Sequence, residues 1–193
     1  MRNFLTLNCA AAIAGVFMAT ATYAQTGNGS DISGPAAGAL VTFAPLNVPS
    51  AGGTGGGSGA PNVAASSAVT GAGATLSGNT PVISPATNQP IPLAAAQSVG
   101  AVISSGSPAD VASTSAALQS AGGPAGATAT LTNALAALAG ATPSSAPGLI
   151  IAAAEAFNAF VASAPASFFA GGTLPAQFLA IHAALVPMVS SIQ

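Results

Sequence analysis

The clearest hydrophobic pattern in this sequence lies at its C-terminal end. Large apolar residues recur there at spacings of 4, 3, 4, 3 and 4, at Leu174, Phe178, Ile181, Leu185, Met188 and Ile192. This period places them on one face of a helix. Four more residues widen that face: Leu179, His182, Val186 and Val189. The pattern predicts a helix from Leu174 or Pro175 to about Ser190, and Pro187 is expected to kink or end it.

Further helices are predicted upstream, separated by clear breaks. Their expected spans are Leu93–Ser104, Pro108–Ala121, Ala127–Ala139 and Pro147–Ser163. The second has the best start, because Ser107 can cap it, Pro108 suits the first helical position and Asp110 lies near the positive end of the helix dipole. The third carries Leu131, Leu135 and Leu138 on one face, with Gly140 as its stop.

The chain between Gln25 and Pro92 has a different character. Glycine and proline interrupt it so often that no helix of normal length is expected. The run Gly52–Gly59 lacks the Gly-Lys-Ser/Thr ending of a phosphate loop and is interpreted as a linker. Short β-prone pieces lie at 39–43, 68–70 and 81–83, and Ala39–Phe43 is the best candidate for strand pairing.

These patterns predict a mainly α fold with two parts after an export signal. Residues 93–193 form an Ala-rich C-terminal helical bundle or set of hairpins. Residues 25–92 form a Gly/Pro/Ser-rich, low-complexity and largely irregular arm that precedes it.

The first 24 residues have the order of a secretory signal peptide. Arg2 supplies the positive start, an apolar stretch runs from Phe4 to Ala19, and Thr22-Tyr23-Ala24 is a small-x-small cleavage site. The alternative is an uncleaved anchor, but the apolar stretch is shorter than the roughly 20 residues that span a bilayer. The protein is therefore expected outside the cytoplasm: extracellular, at the cell surface or in the periplasm. Asn28-Gly29-Ser30 is a glycosylation sequon, relevant only in a eukaryotic source.

Composition then excludes several classes of function. Arg2, Cys9 and Tyr23 are the only residues of their kinds, and all three leave with the signal peptide. The net charge changes from −2 to −3 when Arg2 is removed. Without Lys or Arg, phosphate contacts to nucleic acid are excluded. Without Cys, disulfide scaffolds and Cys-based zinc sites are excluded.

The remaining titratable side chains offer little chemistry. They are Asp31, Asp110, Glu155 and His182. One His and three acids allow a Ser-His-acid triad by arithmetic, but no Gly-x-Ser-x-Gly elbow accompanies them. We therefore expect no catalytic, metal-binding or cofactor-binding residues, and no enzyme activity.

Two candidate features remain near the C-terminus. Five phenylalanines lie between positions 157 and 178, and they are interpreted either as the core of a helical hairpin or as an exposed face that binds a partner or lipid. That candidate interaction face comprises Phe157, Phe160, Phe168, Phe169, Phe178, Ile181 and Leu185. The second feature is a candidate buried pair. If the last two helices are antiparallel about a connection centred between Phe168 and Phe169, Glu155 faces His182 and would raise the pKa of the imidazole.

The sequence favours a secreted, non-enzymatic structural or cell-surface protein that acts through apolar self-association or surface binding. Its expected partner is a second copy or another surface or matrix component. One alternative is a membrane-active or membrane-resident exported protein that contacts lipid through the C-terminal helices. Another is a helical module that binds a small apolar ligand in a dry pocket lined by the phenylalanines.

Overall fold

The fold is mainly α, as predicted. The computed structural model describes residues 60–170 and 174–193, with side chains from residue 63 onward. Within residues 63–193 the chain is 73% helical and has minimal sheet. The helices are α1 Ala60–Ser77, α2 Leu93–Ser105, α3 Pro108–Ser120, α4 Ala125–Ala137, α5 Ala146–Ser163, α6 Ala166–Phe169 and α7 Ala176–Ser190. The signal peptide, the sequon, Ala39–Phe43 and Gly52–Gly59 lie outside the described residues.

Helix α1 corrects the expectation that residues 25–92 contain no helix of normal length. It has 18 residues and includes the β-prone piece 68–70. Its buried apolar side chains are Ala65, Val69, Ala72 and Leu76, at spacings of 4, 3 and 4. Burial of this face against α2 and α7 outweighs the low helix propensity of Gly71 and Gly73.

The β-prone piece 81–83 does form a strand. Strand β1 Val82–Ile83 pairs antiparallel with β2 Pro90–Ile91, with Val82 opposite Ile91 and Ile83 opposite Pro90. The loop between them is closed by two backbone bonds: Ser84 N–H donates to the Gln89 carbonyl at 2.9 Å, and Asn88 N–H donates to the Ser84 carbonyl at 2.8 Å. Asn88 has a φ of 54°, which asparagine tolerates better than most residues.

The predicted helix starts are confirmed where a capping residue or proline defines them. Ser107 Oγ accepts a hydrogen bond from the Asp110 N–H at 3.4 Å, at the start of α3. Helix α5 begins one residue before Pro147. Helix α4 ends at Ala137 and continues as a 3₁₀ turn, Leu138–Gly140, so Gly140 is the last residue of this helical run.

Helix α7 lies at the centre of the fold. It packs against α1, α2, α3, α5 and both strands. Its buried side chains include Phe178, Ile181, Leu185 and Met188, from the predicted apolar stripe. Pro187 does not end α7, which continues to Ser190.

Helices α1 and α2 approach each other closely because glycine lies at their contacts. A Cβ on Gly100 of α2 would lie 2.7 Å from the Ser77 backbone nitrogen and 2.9 Å from the Leu76 carbonyl carbon. A Cβ on Gly73 of α1 would lie 3.2 Å from the Ser104 Cβ. These paired positions show that the two helices are antiparallel, and that the absence of a side chain at Gly100 sets their separation.

Substitution of Gly100 tests this contact. Gly100→Ala should lower the free energy of unfolding by about 1–3 kcal/mol, because the new methyl group meets backbone atoms that cannot rotate away. The matched control is Gly71→Ala, since a Cβ there meets nothing within 4 Å. That control should gain about 0.5–1 kcal/mol from helix propensity. Denaturant unfolding followed by circular dichroism measures both, and equal effects would contradict the close approach.

Candidate functional site

The five phenylalanines of the last two long helices and their connection form one cluster in space. Phe157 and Phe160 lie on α5, Phe168 and Phe169 on α6, and Phe178 on α7. We call these five residues the phenylalanine cluster. The Phe178 ring is at its centre: it stacks on Phe157 with centroids 5.0 Å apart and contacts the other three rings at 5.4–6.0 Å.

The cluster belongs to the core of the fold. Phe157, Phe160 and Phe178 are fully buried, Phe168 is 3% exposed and Phe169 is half-buried. Ile181 and Leu185 are also fully buried. Six of the seven residues of the candidate interaction face are therefore covered in this fold and do not form a surface. The hairpin-core interpretation agrees with the structure, because α1, α2 and α3 supply further cover around α7.

His182 lies against this cluster on α7. Its side chain is 5% exposed, and its ring centroid is 5.8 Å from that of Phe157. Burial penalises the charged imidazolium and lowers the pKa of His182 from 6.5 to about 4. The ring is therefore neutral at physiological pH.

The candidate pair of Glu155 and His182 is wrong. Glu155 is exposed on α5, whereas His182 is buried and contacts Phe157, two residues further along the same helix. Two residues correspond to about 200° around a helix, so Glu155 and Phe157 lie on opposite faces. The antiparallel estimate also assumed a simple connection, but α6 occupies it. The pKa of His182 is lowered, opposite to the predicted direction.

The described part of the chain offers little for polar chemistry. No group of three or more His, Cys, Asp or Glu residues comes together within it. Grooves lie on its surface, and one of them, between α3 and α4, has a volume of about 430 Å³. The grooves found here are lined mostly by Ala, Gly, Ser, Thr and small aliphatic residues, and none by a member of the phenylalanine cluster. The expected apolar ligand pocket lined by phenylalanine is thus absent from these grooves.

Comparisons with known proteins give no match: no family model, no curated protein and no solved structure is similar to this chain. By length and composition alone, one helix in the described range, α5, could cross a membrane, and 39% of it is buried within the fold.

Removal of the Phe178 ring tests whether it lies at the centre of the phenylalanine cluster. Phe178→Ala should lower the free energy of unfolding by about 3–5 kcal/mol, because the ring is fully buried and the surrounding helices cannot close the cavity completely. Phe169→Ala is the matched control, since Phe169 is only half-buried, and its cost should be clearly smaller. Thermal unfolding of both variants gives the comparison, and a larger cost at Phe169 would contradict the central position of Phe178.

The single histidine of the chain allows a direct titration by NMR. The His182 imidazole resonance should shift with a midpoint near pH 4, because burial lowers its pKa to about 4. Glu155→Gln should leave that midpoint unchanged, since the exposed carboxylate lies on the opposite face of α5. A midpoint above the ordinary 6.5 that falls in the Glu155→Gln variant would restore the pairing with Glu155.

Proposed function

We propose that this protein is an exported, non-enzymatic structural or surface protein that acts through apolar self-association or surface binding. The observation that carries the proposal is the nearly uncharged surface of the helical unit. In residues 63–170 and 174–193, the charged side chains at neutral pH are Asp110 and Glu155. His182 adds no charge because it is buried and neutral. Surfaces with little net charge favour association over solubility.

The exposed hydroxyl groups strengthen this argument. Thr70, Thr75, Ser105, Thr130 and Ser190 each donate to the carbonyl four residues earlier on their own helix, at 2.7–3.1 Å. Their donors are therefore used within the helix. Exposed alanines such as Ala64 and Ala74 lie near the threonines of α1, and their methyl groups can pack closely against another surface of the same kind.

The structure changes which residues such an association would use. Because the phenylalanine cluster is buried, contact in the folded state depends on small residues and on the few large apolar side chains left outside. In the described range these are Val63 at 57%, Ile83 at 52% and Leu93 at 42% exposure. Ile83 lies on the β1 strand, where it also has an exposed neighbour in Pro90.

Sedimentation of the purified protein tests the proposal. We expect its mean mass to rise with concentration, and to rise equally at about 0.05 M and about 0.5 M salt, because screening weakens charge–charge contacts and not apolar ones. Detection should use interference optics, since the exported chain has no Tyr or Trp. A monomer at all concentrations, or association abolished by salt, contradicts apolar self-association.

A matched pair of variants locates the contact. Ile83→Lys should weaken association by about tenfold, because it replaces an exposed apolar side chain with a charge. Thr80→Lys adds the same charge at a nearby exposed position that is not apolar, and its effect should be smaller. Equal weakening by both variants would assign the effect to net charge and exclude Ile83 as a contact.

A second candidate function is contact with a lipid bilayer, and α5 is the observation that favours it. Its apolar length suits a membrane, but its buried face packs against α4 and α7 in the fold. Membrane contact would therefore require α5 to leave the core. Flotation with neutral phosphatidylcholine vesicles separates the two functions: co-flotation favours the membrane, and self-association without flotation favours the first proposal.

A further inference from the structure

His182 places an ionisable ring inside the packing between α5 and α7. It is the only histidine of the chain, and its ring contacts Phe157 of α5. On α7 it lies one helical turn after Phe178, the ring that contacts all other members of the phenylalanine cluster. A change in the charge of this ring therefore acts on the centre of the core.

The elements around α7 carry few other charges. Helices α1 and α2 and both strands contain no titratable side chain, α3 contributes Asp110 in its first turn, and α5 contributes the exposed Glu155. The C-terminal carboxyl belongs to the exposed Gln193, and Asp31 lies outside the described residues. The His182 ring is buried against Phe157, and this burial disfavours its charged form, so a proton on the ring opposes the packing of α7 on α5.

Helix α7 has fewer stabilising hydrogen bonds than an ordinary helix, and one of the missing bonds lies close to His182. Pro187 lies within the helix and has no N–H, so it cannot donate to the carbonyl of Ala183, the residue that follows His182. The N-terminal end of α7 has no side-chain cap. Tertiary packing therefore holds α7 in place, and disruption of that packing at His182 is opposed by fewer backbone bonds than in an uninterrupted helix.

We infer that His182 is an acid-sensitive contact whose protonation separates α7 from α5 and exposes the phenylalanine cluster as an apolar association surface. The opening depends only on the described core, whereas the association that follows rests on the proposed function. The direction of the pH effect follows from burial. The open chain binds a proton below about pH 6.5, but the closed core does so only near pH 4, so acid stabilises the open state throughout that interval.

Hydrogen exchange followed by NMR on the purified protein tests the opening. Between pH 7 and pH 4, the protection factors of α7 amides such as those of Ile181 and Leu185 should fall by about 100-fold, the ratio that a pKa of 6.5 in the open state and about 4 in the closed state implies. His182→Gln should abolish most of that fall. Asp31→Asn, Asp110→Asn and Glu155→Gln are the charge controls, and each should retain it.

Several results would overturn the inference. One is a fall in wild-type protection of less than about threefold over this interval, and another is an equal fall in His182→Gln. If His182→Gln does not fold at neutral pH, the measurements on the wild-type protein test the inference by themselves. Its imidazole must titrate near pH 4 together with the loss of protection, and a midpoint near 6.5 with unchanged protection contradicts the contact.

Sedimentation over the same pH range separates this inference from the proposed function. Association that increases as protection falls supports the phenylalanine cluster as the association surface. Opening without association confirms the acid-sensitive contact and contradicts the cluster as an association surface. Association at neutral pH without any acid-dependent opening supports the proposed function and overturns the role of His182.

Discussion

The helical unit depends on the cover that small residues provide for a few large side chains. Phe157, Phe160 and Phe178 are fully buried around α7, yet the neighbouring helices are rich in alanine and glycine. A buried methyl group contributes only about 0.8 kcal/mol to stability. The size of the alanine side chains therefore cannot explain how the phenylalanines are buried. Close backbone approach supplies the cover instead. At Gly100 an added Cβ would lie within 3 Å of the backbone of α1, which shows how near the helices come.

The same composition removes the usual electrostatic contribution to the fold. Beyond Arg2 the chain has no Lys or Arg, so its carboxylates have no Lys or Arg partner within residues 3–193. Several hydroxyl groups are satisfied locally, such as that of Thr75, which bonds to its own helix, and that of Ser107, which caps α3. This leaves a surface with few charges around a core that contains one titratable ring. The proposed self-association and the proposed acid sensitivity both rest on this arrangement of charge.

The elements that the sequence predicted well are those defined by local signals. Ser107 and Pro108 mark the start of α3, and the 4-3 spacing of large apolar residues marks α7. Helix α1 was missed because its glycines were interpreted as breaks. Each glycine costs about 1 kcal/mol in a helix, but burial of Val69 and Leu76 against the rest of the fold outweighs that cost. Local propensity cannot reveal this, since the compensating contacts are distant in sequence.

The candidate site shows the same contrast between features that local sequence indicates and features that depend on distant contacts. The sequence brought the phenylalanines to attention, because five of them lie within 22 positions, but their burial depends on helices elsewhere in the chain. The predicted pairing of Glu155 with His182 was wrong because residue numbers alone do not show how α6 shifts the register of the two helices, or which face of α5 points towards α7. The chemical inventory can be read from the sequence alone: no Lys or Arg after Arg2, no Cys after Cys9, a single His, and large apolar side chains concentrated near the C-terminus. Which helix faces are covered depends on the tertiary fold, because burial is set by contacts between helices that are far apart along the chain.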